Sequence, residues 1–225
     1  MPQRKGKKIL IYFFLLLLVG SINNDTINSF KFDKIKNINV LGLGHNDNQD
    51  LLYNIIDLNL GNIFFLNKEN INKIINSNTL IHDYEIFKRY PHSLDINVKR
   101  TKFLARIKDN KNFFLIGSNG KLSPIEHKDK SDYLPFIFGK PKIDQFLKFK
   151  TIIDSSKFEY KDIDSIFFFS SNRWDIQLKN ELLVRLPSKN IKKTLDLVSD
   201  FLIENYNNSI KIVDARIQNQ IILND

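Results

Sequence analysis

Residues 81–100 read IHDYEIFKRYPHSLDINVKR, and this stretch decides the architecture of the first half of the chain. Leu94, Ile96 and Val98 alternate with Asp95, Asn97 and Lys99, the two-residue period of a strand with one buried face. Ile81–Arg89 is a second strand. Pro91 sits in the turn between them, because proline cannot donate to a sheet ladder. Upstream, Asn48–Leu58 carries Leu51, Leu52, Ile55 and Ile56 at helical spacing, with Gly61 as a stop. A second helix is expected near Lys68–Asn76, with Asn67 as its N-cap and Ile71, Ile74 and Ile75 on one face. Ile35–Leu41 is a strand in which Ile38 and Val40 alternate with Asn37 and Asn39, and Gly42-Leu43-Gly44 ends it. The order is β-α-α-β-β, a compact α+β unit.

Downstream of Arg100 the chain is mostly strands. Ser118-Asn119-Gly120-Lys121 predicts a hairpin, because Asn-Gly accepts the positive φ of a type I′ turn. A helix over Lys142–Asp154 starts after Pro141, with Ile143, Phe146, Leu147 and Phe149 on its apolar side. Ile166–Phe169 reads as a buried strand. Trp174, Ile176 and Leu178 alternate with polar residues, and a tight turn at Lys179-Asn180 leads to Leu182, Val184 and Leu186. Trp174 belongs to the core on this pattern. Ile191, Leu195, Val198 and Leu202 mark a long amphipathic helix. Two strands, Ile210–Asp214 and Ile217–Leu223, finish the chain with little turn between them. Ile217–Leu223, as the last strand of the last sheet, is the natural open edge.

The N-terminus suggests an address. Residues 9–19, ILIYFFLLLLV, are uninterrupted and apolar, preceded by Arg4, Lys5, Lys7 and Lys8 and followed by polar residues. A basic flank before an apolar run sends the following chain across a membrane. Even extended through Ile22 the run stays below the lower limit of roughly 17 residues for a spanning helix. Two readings stand on the residues alone. One is a short signal-anchor, with Lys7 and Lys8 reaching back to the interface. The other is a cleaved signal peptide, since Val19-Gly20-Ser21 offers small residues at a cleavage position. Both export the chain from Asn23 onward.

Composition bounds the chemistry. The 225 residues are 42% hydrophobic, enough for a buried core, and the length suits one or two domains. Cys is absent, which excludes thiolate metal sites, Cys nucleophiles and disulfides. The net charge of +9 owes four units to the N-terminal basic residues, and the remaining excess is spread out rather than gathered into the stripe of a nucleic-acid binder. Lys99-Arg100-Thr101-Lys102 is the nearest thing to a basic patch and reads as a solvated strand face. His45, His82, His92 and His127 form no HxH or HExxH pairing. Gly42-Leu43-Gly44 is only a GxG, with Asp47 where a dinucleotide fingerprint needs glycine, and neither a P-loop nor a GxSxG elbow occurs. Asp162 and Asp164 read as turn caps. No catalytic residue, metal ligand or cofactor is expected.

The ordered motifs resemble those of the bacterial FtsQ/DivIB cell-division family. They are the basic tail with one apolar segment, Ile38-Asn39-Val40-Leu41-Gly42, Gly61-Asn62-Ile63-Phe64 with Leu66, and Arg89-Tyr90-Pro91 with Leu94, Ile96, Arg100 and Ala105. Leu115-Ile116 with Gly120, Leu134-Pro135 with Gly139, Arg173-Trp174, Leu186-Pro187 and Val213-Asp214-Ala215-Arg216 complete the set. Lys102 stands where the family usually has Pro, Gly117 where it has Asp or Asn, and Ala215 where it has Leu.

The resemblance implies an α+β fold with a single N-terminal membrane helix, a β-α-α-β-β POTRA domain and a mainly antiparallel β domain with flanking helices. It divides the chain into a cytoplasmic tail (1–8), a transmembrane or signal-anchor segment (9–22), a linker (23–34), the POTRA domain (35–103) and the β domain (104–225). It favours an anchor over cleavage. Gly42, Arg89, Pro91 and Leu94 are then structural motif positions of the POTRA unit. The implied role is a non-catalytic divisome scaffold of the inner membrane, with its C-terminal part periplasmic and at the septum. Its implied partners are FtsB and FtsL at the C-terminal edge and FtsK near the POTRA unit, with no nucleic acid and no small-molecule substrate. Arg216 and Ile217 map to the family's partner surface, joined by Arg173, Gln218 and Gln220. Arg216 can clamp a partner carboxylate, or close an internal pair with Asp214 or Glu181. Two other readings stay open. They are a secreted periplasmic binding module and a POTRA-containing envelope assembly component.

Overall fold

The computed structural model describes residues 4–22, 33–125, 133–205 and 210–224. Residues 1–3 of the tail, linker positions 23–32 and the loop holding His127 lie outside the described residues.

Helix α1 runs over Arg4–Ile22, but four of its first five residues are basic. The apolar remainder, Ile9–Ile22, rises about 21 Å at ~1.5 Å per residue against a hydrocarbon core of about 30 Å. Among the described residues no helix is long and apolar enough to cross a membrane.

The first unit follows the expected order: β1 (Asn37–Leu41), α2 (His45–Ile56), α3 (Glu69–Ser77), β2 (Ile81–Arg89) and β3 (Ser93–Arg100). Its sheet order is β1-β3-β2, with β1 parallel and β2 antiparallel to β3. The two helices form the crossover that a parallel pair requires. Leu51 and Ile55 of α2 and Ile71 and Ile75 of α3 are buried against Val40, Leu94, Ile96 and Val98. Asn67 does not take the cap position itself, yet its Oδ1 accepts the Glu69 N–H at 2.9 Å and satisfies an end-of-helix donor. Asp95, expected on the solvent face, is buried and paired with Arg89, which gives that motif arginine a structural job.

The second unit contains β4 (Phe103–Asp109), β5 (Asn112–Gly117), β6 (Leu122–Pro124), β7 (Phe136–Phe138), α4 (Ile143–Asp154), β8 (Ile163–Phe168), β9 (Trp174–Leu178), β10 (Leu183–Arg185), α5 (Ile191–Asn205), β11 (Ile212–Asp214) and β12 (Ile222–Asn224). Its sheet order is β12-β11-β10-β9-β8-β7-β4-β5-β6. The pairs β4/β7, β7/β8 and β10/β11 are parallel and the others antiparallel. Helix α4 joins the parallel strands β7 and β8, and α5 joins β10 and β11. Phe146, Phe149 and Ile153 of α4 and Leu195 and Val198 of α5 lie buried over Ile137, Ile166, Ile176, Val184 and Val213. Trp174 is core, its ring stacked 4.4 Å from Phe149.

The Asn-Gly hairpin forms between β5 and β6, but not with the expected two-residue type I′ turn. Only Gly120 has positive φ (76°), and its N–H closes on the Gly117 carbonyl at 3.0 Å, giving the longer loop that ends in one left-handed glycine. Asn119 is spent differently. Its Nδ2 donates to the carbonyls of Thr79 (2.9 Å) and Ile81 (2.8 Å), and Lys121 Nζ donates to those of Asn76 and Asn78. The hairpin tip therefore bolts the second unit onto the end of α3 and the start of β2.

Candidate partner-binding edge

Strand β12 closes one end of the nine-stranded sheet and, among the described residues, pairs only with β11, through Ile212 with Asn224, Val213 with Leu223 and Asp214 with Ile222. An edge of this kind presents backbone groups that a further strand can pair with. Ile222 is 47% and Leu223 42% exposed, and strand alternation sends their side chains to opposite faces of the sheet.

The sequence expectation for this segment needs correcting. Ile217–Leu223 is not a strand. Ala215 and Arg216 leave β11, Ile217–Asn219 turn, and β12 begins only at Ile222. Asn219 adopts φ 59° and the Gln220 N–H donates to the Ile217 carbonyl at 3.2 Å, which is turn geometry. Ile217, Gln218 and Gln220 are exposed in this connection, beside the edge rather than on it.

Behind the edge stands a row of charges. Arg185 of β10 is in register with Asp175 of β9 on one side and Asp214 of β11 on the other. All three lie on the face opposite the helices, since their neighbours Ile176, Val184 and Val213 point into the core. Arg173 reaches Asp175 with Nε at 3.2 Å and Nη2 at 3.4 Å, and its guanidinium lies 4.2 Å over the Phe169 ring. Arg216 folds back on Asp214, with Nε 2.9 Å from Oδ1, Nη2 2.5 Å from Oδ2, and its backbone N–H 3.1 Å from Oδ1. Arg185 Nη1 stands 3.8 Å from the same carboxylate. The internal pair open to Arg216 is formed with Asp214.

The structure thus gathers Arg173 and Arg216 onto one charged row, and it adds Asp175, Arg185 and Asp214. Sequence reading missed these three as a group because the contact joins residues far apart in the chain. Their signal was a charged residue set between two apolar ones in Trp174-Asp175-Ile176, Val184-Arg185-Leu186 and Val213-Asp214-Ala215. Arg185 links β10 to the β11 carboxylate, and Asp175 Oδ1 accepts the Leu186 N–H at 3.4 Å just past β10, so side chains as well as backbone connect the strands behind β12.

The hydrogen bond from Arg216 chiefly, then its backbone N–H and the charges of Arg216 and Arg185, hold the Asp214 carboxyl below the ordinary carboxylate range against the opposing effect of burial. A carboxylate with a lowered folded-state pKa adds stability above its unfolded value, about 3.9, and loses it as pH falls through the lower folded value. Carboxyl-detected NMR titration is expected to find Asp214 ionised below about pH 3.9. Arg216→Ala should raise that midpoint more than Arg185→Ala does, because the Arg216 contact is the shorter. An Asp214 midpoint indifferent to Arg216→Ala would contradict the arrangement.

Among the described residues no group of three His, Asp or Glu side chains is placed to hold a metal ion. The surface offers an edge and a charged row.

Comparison with known proteins agrees with this two-unit plan. The model for the POTRA domain, FtsQ-type, matches residues 33–99, and that for the cell division protein FtsQ/DivIB, C-terminal, matches 105–216. The chain belongs to the FtsQ/DivIB family. It is 29% identical over 153 residues to the cell division protein DivIB of Clostridium botulinum (strain Loch Maree / Type A3), covering 66% of this chain and 58% of that protein. It is 23% identical over 167 residues to FtsQ of Bradyrhizobium diazoefficiens, covering 72% of this chain and 48% of that protein. FtsQ of Rickettsia bellii is 22% identical over 195 residues, covering 83% and 70%. The chain thus spans about half to three-fifths of the first two relatives. The major extracytoplasmic domain of DivIB from Geobacillus stearothermophilus aligns at a TM-score of 0.33 and 13% identity, over 48% of this chain and 99% of that one. That score by itself establishes no shared fold. Within the family's terms, the first unit is the POTRA domain and the second the FtsQ/DivIB C-terminal domain.

Proposed function

We propose that this chain is a non-catalytic divisome scaffold that recruits its partners by accepting an extended segment along β12. The observation that carries the reading is the open β12 edge, apolar on both faces at Ile222 and Leu223 and braced from behind by the Asp175–Arg185–Asp214 row. Main-chain pairing supplies affinity in strand addition, and the flanking side chains supply selectivity. The proposed partners at this edge are the periplasmic segments of FtsB and FtsL, with FtsK meeting the POTRA domain; membership of a cell-division family supports partners of this kind. Arg173, Arg216, Ile217, Gln218 and Gln220 form the rim beside the inserted strand. The arginines serve there as holders of the row, with part of Arg216 still open to a partner carboxylate.

In the same proposal α1 holds the chain in the inner membrane, its basic end cytoplasmic and both domains periplasmic at the division septum. Its apolar run is short, and a Lys8 side chain reaching toward the interface extends its effective length.

The test is a titration of the full chain, in detergent, with the periplasmic segment of FtsB from the same organism, read by binding and by amide exchange. Saturable binding with new protection at 222–224 is expected. Binding without that protection would move the interface off this edge. Absence of binding to both FtsB and FtsL segments would return the chain to a cleaved periplasmic module or an envelope assembly component.

A further inference from the structure

The POTRA domain has two poles, and its topology assigns them. Because β1 runs parallel to β3, the start of β1, the start of β3 and the Tyr90–His92 turn share one end. Lys34 bridges Asn62, the Ile35 N–H donates to the Gly61 carbonyl at 3.1 Å, and the Lys36 N–H to the His92 carbonyl at 2.9 Å. These bonds bring the α2–α3 loop to the same end. The opposite pole holds the start of β2 and the docked β5–β6 hairpin. The chain coming from α1 therefore enters the POTRA domain at the pole away from the second domain.

That entry pole carries exposed aromatic rings. Phe65 is 77%, Tyr90 60% and Phe64 47% exposed, with the Phe64 and Tyr90 rings 5.0 Å apart. The loop is built to present them. Ile63 is fully buried, and Asn62 Oδ1 accepts the N–H groups of both Phe64 and Phe65 at 3.1 Å, so one residue plugs the core while the next two turn outward. Lys34, Lys88 and Arg89 lie at the same end, the last paired with Asp95. Rings beside basic side chains suit the boundary layer of a bilayer that contains anionic lipid.

We propose that the entry pole of the POTRA domain rests on the membrane surface, with Phe65 and Tyr90 in the headgroup layer and Lys34 and Lys88 toward lipid phosphates. The inference rests on α1 being an anchor. Ten residues, 23–32, separate α1 from Asp33. At ~3.5 Å per residue their contour is at most about 35 Å, which keeps this pole within reach of the surface. The contact would hold the second domain away from the bilayer and present the β12 edge at a set orientation.

The absence of native Cys permits single labels on the full chain. A Phe65→Cys variant carrying an environment-sensitive fluorophore is reconstituted with vesicles of phosphatidylcholine and phosphatidylglycerol that contain a shallow nitroxide-lipid quencher. An Ile203→Cys label, on an exposed α5 position of the second domain, is the reference. Flotation of the chain with vesicles reports the anchor, and quenching reports the pole. Quenching at 65 is expected to exceed that at 203 by about threefold or more, and to fall toward the reference when Lys34 and Lys88 are both changed to Glu or when phosphatidylglycerol is omitted. Flotation with equal quenching at the two labels overturns this proposal and leaves the anchor standing. A chain that fails to float overturns both.

Discussion

Gly42→Ala is expected to collapse the POTRA domain. Gly42 follows β1 with φ +116°, a conformation that side-chain-bearing residues rarely adopt. A Cβ there would also sit well inside contact distance of the Val98 backbone carbonyl on β3. Neither obstacle can be relieved by a side-chain rotation, because both lie in backbone. The alternative is for β1 to leave β3, which withdraws Val40 from Leu51 and Ile55 and opens the core. The combined strain and overpacking are worth on the order of 3–5 kcal/mol, a large share of a domain's stability. Gly61→Ala is the matched control. A Cβ at Gly61 meets nothing within 4 Å, so its effect should stay within about 0.5 kcal/mol. Thermal unfolding and amide exchange of β1 would check both. Equal melting of the two variants would mean that the β1–β3 approach is not as close as described.

Ile222→Lys and Leu223→Lys are expected to abolish strand addition without unfolding the chain. Both side chains are already about half exposed, so a charge there costs the free protein little. Under an added strand each lysine would have to give up water, and the loss at a central interface position is about 2–3 kcal/mol, or roughly 30–150-fold in Kd. The two substitutions address opposite faces of the sheet. Similar losses from both would show that the partner grips the strand itself, whereas a loss from Leu223→Lys alone would place the contact on the helix-covered face. Undiminished FtsB binding by both variants would remove β12 from the interface. Substitutions at Ile217 probe something else, because that residue lies in the turn and acts next to the Arg216–Asp214 pair.

Much of the POTRA domain was legible because its signals are local. The alternation over 94–99, the helical spacing of Leu51 with Ile55 and of Ile71 with Ile75, and Pro91 between two strands each depend on residues near in the chain. The same holds for α4 and α5, whose apolar stripes repeat every three to four residues. The end of the chain was harder to read. Ile217, Ile221, Ile222 and Leu223 supply apolar content on both sides of a turn, and content alone cannot say that Asn219 takes positive φ and delays the strand to Ile222. The hairpin at Asn119-Gly120 was visible for a related reason and mis-assigned in detail. The dipeptide permits a type I′ turn, but the Asn119 amide is drawn off by the Thr79 and Ile81 carbonyls of the other domain.

By itself, then, the sequence determined the α+β plan, the order of elements in the POTRA domain, the apolar faces of its helices, the apolar N-terminal run and the motifs that resemble the family. Periodicity, turn residues and motif order are short-range properties that survive in a linear string. Only the tertiary structure decided that the strand at the expected C-terminal edge begins at Ile222, that the internal pair of Arg216 is with Asp214, and that Arg185 stands in register between Asp175 and Asp214 across three strands. Strand order, register and charge pairing are set by which distant segments lie side by side, and no local preference of the chain encodes them.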